Sequence, residues 1–370
     1  MRILLLLFFL AQSASALSDI DISNPRALMF AADNKENIID VISIKEEKVI
    51  YQIETEDHVN NLLSTPYAPI LIYTNIEKSL LYVYDLKTKK MVKEIVLPIS
   101  PRHMVLDTTG TKIAISDSHK GGFILFSPYA ADIIFYIDDF PKTKDVLFDP
   151  NENEIFYTNN DTGSIGILNV NTRRTYEISI LNNENTINLS SPSRSLDGRN
   201  IYFSNFVSGE VFALNTFSKI VFQTFNIGSK PIRPYTTPEG IFLYMIDQES
   251  GRFISIDQQY FEEYENTIIG EDINLITVGR FDRMNLLASS DNKNYYIYDN
   301  VRKSIIDSGE FKYTPLTSLG SHDGKTAYIP FKDSPYIGVI NLENKKVSYI
   351  EATNMGIGAF NIGLSNNVCH

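Results

Sequence analysis

Arg102 and His103 stand side by side in this chain. They combine a permanently charged guanidinium with an imidazole that titrates near neutrality. They head a short apolar run, Met104-Val105-Leu106, and two other places repeat that setting. Lys144-Asp145 precedes Val146-Leu147-Phe148, and Arg233 lies within Lys230-Pro231-Ile232-Arg233-Pro234-Tyr235. The prolines around Arg233 restrict its backbone and would pre-aim its side chain. An arginine so held can clamp a carboxylate, and the imidazole can ligate an iron or act as a base. Asp145, His103 and Arg233 would also serve as an acid–base set. The plainer alternatives are structural: His103 bonded to a carbonyl of a neighbouring element, and Arg233 paired with an acid such as Asp145.

Cys369-His370 closes the sequence and offers a thiolate and an imidazole to a soft metal. With Asn366 in place of a first cysteine, it is an incomplete haem-attachment motif. A lone cysteine also excludes an intramolecular disulfide. His58, His119 and His322 fall in turn-like stretches without metal-ligand spacing. Zinc-protease, serine-hydrolase, phosphate-loop, dinucleotide and calcium-loop signatures are missing. Asn160-Asp161-Thr162 and Asn188-Leu189-Ser190 match the glycosylation pattern, which matters only in a eukaryotic secretory route.

The elements that must position these residues are short strands. Residues 79–116 read as four apolar runs separated by polar turns, the signal of an antiparallel meander. The marker Val83 recurs as Val41, Leu125, Ile167, Val211, Phe253, Ile297 and Val339, at spacings of 42, 42, 42, 44, 42, 44 and 42. Four strands per repeat at this period is the signature of a β-propeller blade. Eight markers predict an all-β, eight-bladed β-propeller of four-stranded antiparallel blades. Only one strand, over 27–32, fits before Val41, and a spare one follows Val339. The first blade is therefore expected to be closed by the C-terminal strand over 358–365, since an open inner edge would leave backbone groups unpaired. Aligned on the turn glycine Gly110, the positions seven and eight residues earlier place Arg102, His103, Lys144, Asp145 and Arg233 at one phase. They fall in three different blades, at one mouth of the central channel.

Residues 1–16 read as a secretory signal peptide: Arg2, the apolar run Ile3–Ala11, then Ala14-Ser15-Ala16. A single propeller domain is expected over 17–370, periplasmic or secreted, without a transmembrane segment. The net charge is −12, and loss of Arg2 makes it one unit more negative. Such a balance excludes nucleic acid as a partner and argues against an anionic membrane surface.

The cadence Pro101-Arg102-His103-Met104-Val105-Leu106-Asp107-Thr108-Thr109-Gly110, together with Leu81-Tyr82-Val83-Tyr84-Asp85-Leu86-Lys87-Thr88-Lys89, resembles exported propellers of the YVTN-repeat type. Leu196 to Tyr202 and His322 to Tyr328 repeat it. The resemblance spans the chain and extends distantly to the haem-binding propeller of cytochrome cd-type nitrite reductases. It implies the propeller fold, with a tetrapyrrole or quinone at the channel mouth as one possibility; those relatives use His and Arg from this kind of loop. The residues name no cofactor and do not decide whether the protein is an enzyme. They support a binding or scaffold module for a small anionic ligand or a partner protein, with Arg102, His103, Asp145 and Arg233 as its ligand-binding side chains.

Overall fold

The computed structural model describes residues 20–143, 145–180, 187–353 and 355–363. The leader over 1–16, Lys144 and the Cys369-His370 tail lie outside them. The described chain forms eight sheets of four antiparallel strands each. In blade 2 the order from the inside is Asn61–Ser64, Ile70–Asn75, Leu80–Asp85 and Lys90–Val96. Blades 3 to 8 repeat that order along the sequence. No helix among the described residues is long and apolar enough to cross a membrane.

Blade 1 is closed by the other end of the chain. Ile357–Ile362 is its inner strand and pairs antiparallel with Leu28–Asp33, with Met29 opposite Ile362 and Ala31 opposite Phe360. Val41 and Val339 fall in adjacent blades. Met29, Ala31 and Ile42 of blade 1 share an apolar cluster with Ile337, Val339 and Ile350 of blade 8.

The burial pattern follows from face-to-face stacking of blades. Middle strands are covered on both sides, so Leu28–Asp33 is buried throughout and reads as one apolar run. Lys90–Val96, outermost in its blade, is almost wholly exposed and alternates loosely. Each apolar cluster straddles two blades: Leu63, Ile72 and Leu81 of blade 2 meet Met104, Ile113 and Ile124 of blade 3. Burial of such side chains stabilises by about 1.5–3 kcal/mol each.

A recurrent cap sets the blade length. The third strand of each blade ends in Ser43, Asp85, Ser127, Asn169, Asn215, Asp257, Asp299 or Asn341. That side chain accepts hydrogen bonds from backbone N–H groups two or three residues on. Such Asx-type caps favour a tight turn. In blades 1 to 7 the residue before the outer strand then takes a left-handed backbone, from Ala131 at φ 49° to Arg173 and Lys219 at φ 59°, and in blade 8 Lys345, two residues before that strand, does so at φ 63°. Counted on these caps the period is 42 throughout, except for 46 between Asn169 and Asn215. Val211 and Phe253 are therefore two residues early as markers; Ala213 and Ser255 stand opposite Tyr202 and Tyr244 as Val83 stands opposite Ile72. The four extra residues fall between the outer strand Arg174–Ser179 and the inner strand Ser193–Arg194.

The ring is also stitched by polar bonds between inner strands. Asn361, buried in blade 1, accepts from the Ser64 backbone N–H (3.1 Å) and hydroxyl (2.7 Å) in blade 2. Asn361→Ala leaves both donors buried without their acceptor. The expected loss is about 1–3 kcal/mol, read from urea denaturation; an unchanged midpoint would show that this stitch does not hold the seam.

Candidate functional site

Each inner strand begins on one face of the disc, here the upper face, where the second-to-third-strand turns also lie. Arg102 and His103 open the inner strand of blade 3. Arg102 is half-buried, with its Nε 3.4 Å from a carboxylate oxygen of Asp117. Asp117 is buried and lies at the turn between the second and third strands of the same blade. Its Oδ1 also accepts from the backbone N–H groups of His119 (2.8 Å) and Lys120 (3.2 Å). His103 is half-buried too, and its Nε2 lies 3.0 Å from the Ser118 hydroxyl of that turn. Both side chains are thus anchored by one turn, 117–120.

Consecutive strand residues leave opposite faces of a sheet. Met104 and Leu106 pack toward blade 2, whereas Val105 packs toward blade 4. Asn61, which holds the phase of His103 in blade 2, donates through Nδ2 to the Pro101 carbonyl (2.8 Å). The loop bearing Arg102 is thereby tied to the neighbouring blade.

Asp145 opens the inner strand of blade 4 and is half-buried, its backbone carbonyl accepting the Thr143 hydroxyl (3.0 Å). Arg233 opens blade 6 and is exposed. Its Nη2 donates to the Pro192 carbonyl of blade 5 (2.7 Å). The surrounding loop is tied to blade 5 by three further bonds. Ser193 donates to the Pro234 carbonyl (2.7 Å), Ser204 to the Ile232 carbonyl (2.9 Å) and Thr236 to the Arg194 carbonyl (2.7 Å). Of these carbonyls one belongs to a proline, Pro234, which has no N–H of its own to satisfy. Arg233 and Asp145, separated by blade 5, form no ion pair among the described residues.

Three residues escaped sequence reasoning. Asp117 and Ser118 anchor the Arg102-His103 pair; the Asp-Ser-His run after a strand was their only signal. Arg194 lies buried in the inner strand of blade 5, its Nη1 donating to the Phe148 carbonyl of blade 4 (2.6 Å). In blade 7 the phase belongs to Leu275, opposite Ala288 as His103 is opposite Ser116. Asp282, at φ 52°, takes the place of the turn glycine there and so hid the register. Among the described residues no cluster of three or more His, Cys, Asp or Glu could hold a metal.

Four-stranded blades around one axis, eight in number, with the polar ends of the inner strands gathered on one face, define an eight-bladed β-propeller. No family model matches the chain, and no curated protein matches it in sequence. Solved structures share its fold. Dihydro-heme d1 dehydrogenase NirN, solved in complex with DHE, superposes with a TM-score of 0.75 at 11% identity, covering 92% of this chain and 76% of that one. BamB from Moraxella catarrhalis gives 0.63 at 12% identity over 80% and 89%. Hydrazine synthase from Kuenenia stuttgartiensis gives 0.55 at 12% identity over 80% and 96%. At such identities the likeness is one of fold.

Proposed function

We propose that this chain is an exported β-propeller that binds a small anionic ligand or an acidic segment of a partner protein at the upper mouth of its channel. Arg102, His103, Asp145 and Arg233 are the contacting side chains. The observation that carries this reading is preorganisation. Arg102 is held by a buried carboxylate and Arg233 by a carbonyl of the next blade, so neither must be ordered by the ligand. The leader pattern over 1–16 supports export. Titration calorimetry of the purified protein with citrate, succinate and inorganic phosphate tests the site. Arg233→Ala, a substitution at an exposed position, is expected to weaken the best of these by at least tenfold with an unchanged melting temperature. No heat with any of the three, or equal affinity in the variant, overturns the reading.

A second reading places a tetrapyrrole at the same mouth. The half-buried imidazole of His103 beside a guanidinium favours it, as does the fold shared with a structure solved in complex with DHE. Protein purified from its native source would then carry a visible absorption band that His103→Ala shifts or abolishes. A colourless native preparation removes this reading and leaves the first.

A further inference from the structure

Ser118 differs from its counterparts around the ring. In six other blades a residue just past the second strand ties its backbone N–H to the loop that enters the inner strand. Phe206 donates to the Asn188 carbonyl (2.9 Å), Gln248 to that of Lys230 (2.9 Å) and Lys332 to that of Thr314 (2.8 Å). Blade 1 does the same, and in blades 2 and 7 an asparagine side chain at the end of the loop takes the place of the carbonyl. In blade 3 the matching carbonyl, that of Ser100, accepts instead from the Arg102 N–H (2.8 Å). The Ser118 N–H makes no bond among the described residues.

The hydroxyl of the same residue lies 3.0 Å from the His103 Nε2. An imidazole at that distance can take the hydroxyl proton, because it titrates near neutrality. Arg102 is aimed through its Nε at Asp117, the residue before Ser118. Its Nη1 and Nη2 make no bond among the described residues. The turn that carries Ser118 is held firmly. Gly121 and Gly122 take φ 86° and 101°, and their N–H groups donate to the carbonyls of Asp117 (3.0 Å) and Phe140 (2.9 Å). A Cβ on Gly121 would lie 2.4 Å from the Phe140 oxygen.

A tie between turn and loop does not need this pair. Asparagine makes it in blades 2 and 7, where its amide bonds a backbone N–H and cannot take up a proton. Blade 3 has a hydroxyl against an imidazole in its place. Beside them stand two kinds of unengaged donor, the N–H of the same serine and the outer nitrogens of an oriented guanidinium. A hydroxyl with its base, next to donors that can receive a developing oxyanion, is the equipment of acyl transfer. No short motif announces it, because the base comes from the inner strand and the hydroxyl from a later turn.

We propose that Ser118 and His103 form a nucleophile–base pair that hydrolyses carboxylic esters of small acids on the upper face. The proposal rests on the binding reading for its place, since Arg102 and His103 meet the ligand in both. Ser118 Oγ attacks the ester carbonyl carbon and its proton passes to His103 Nε2, which requires the tautomer with hydrogen on Nδ1. The carbonyl electron pair moves onto the oxygen, held by the Ser118 N–H and an Arg102 Nη. The bond to the leaving alcohol then breaks, and its oxygen takes the proton from Nε2. Water attacks the acyl group on Ser118 in the same way, giving its proton to His103, and Ser118 Oγ leaves with that proton. The product is a small carboxylate, an anion of the class that the binding reading assigns to this mouth.

The purified protein is tested with phenylmethylsulfonyl fluoride and with 4-nitrophenyl acetate. Fragmentation mass spectrometry is expected to find the sulfonyl group on Ser118, within the tryptic peptide 113–120. Release of 4-nitrophenolate is expected to rise with pH through the near-neutral range, as His103 loses its proton. Ser118→Ala and His103→Ala are each expected to lower kcat/KM by at least about a hundredfold, and Arg102→Gln to lower kcat by about a hundredfold. Melting curves check that each variant is folded, and the label on the unsubstituted protein stands apart from them. A Ser118 that takes no label, or hydrolysis that survives Ser118→Ala, overturns the proposal. If calorimetric heat with citrate, succinate or phosphate persists in that case, hydrolysis alone falls and the binding reading stands; without heat, both fall.

Discussion

A chain ending at residue 356 is expected to yield no folded protein. Ile357–Ile362 is the inner strand of blade 1, and its loss removes three things together. The pairing with Leu28–Asp33 goes, which opens a sheet edge along the channel. Ile357 and Ile362 leave the apolar cluster shared with blade 8, at about 1.5–3 kcal/mol each. The Asn361 stitch to Ser64 of blade 2 is lost as well, so both seams of blade 1 weaken. With each ladder bond contributing about 1 kcal/mol, the sum approaches the whole stability of an ordinary domain, about 5–15 kcal/mol. A chain ending at Gly363 keeps the strand and is the control. Soluble yield and thermal unfolding by circular dichroism give the comparison. If the shorter chain melts like the control, the C-terminal strand is not what holds the ring.

Asp40→Asn is expected to stabilise the protein at neutral pH and to leave it unchanged in acid. Asp40 lies on the third strand of blade 1 and is only 2% exposed. Burial pushes its carboxyl up to about 6, reinforced by the nearby Asp33 and Glu36 carboxylates and opposed by a bond from Gln52 (2.8 Å). An acid whose folded pKa is raised favours the folded state most where it is protonated. That contribution is complete below the unfolded value of 3.8 and is lost as pH rises toward 6. Above that range the ionised Asp40 costs up to about 3 kcal/mol, the shift converted at 1.36 kcal/mol per pKa unit. Asparagine keeps an acceptor for Gln52 and carries no charge, so it removes the cost.

Glu152 acts in the opposite sense. Burial opposes its ionisation, but bonds from Lys112, Thr109, Asp107 and Thr108 outweigh this and hold it down to about 2. Its stabilisation is lost as pH falls toward that value, equally in both proteins, and so cancels from the comparison. Urea denaturation of the two proteins at pH 4 and pH 7.5 measures the difference. An equal midpoint shift at both pH values, or a lower midpoint for the asparagine variant at pH 7.5, contradicts the assignment.

The amino-acid order alone determined the number of blades, their four-stranded make-up and the closure by the C-terminus. These follow from local physics: a strand-end Asp, Asn or Ser caps each turn, and apolar runs of one length recur between caps. Exact register was not so determined. Apolar alternation has a period of two, so Val211 and Ala213 satisfy it equally, and only pairing with Tyr202 chooses between them. In blade 7 a left-handed Asp282 did the work of a glycine, and no residue type announced it.

The candidate site was legible as residue types and phase. The tertiary structure alone placed Arg102 on Asp117, His103 on Ser118 and Arg233 on the Pro192 carbonyl, because each partner comes from another turn or blade.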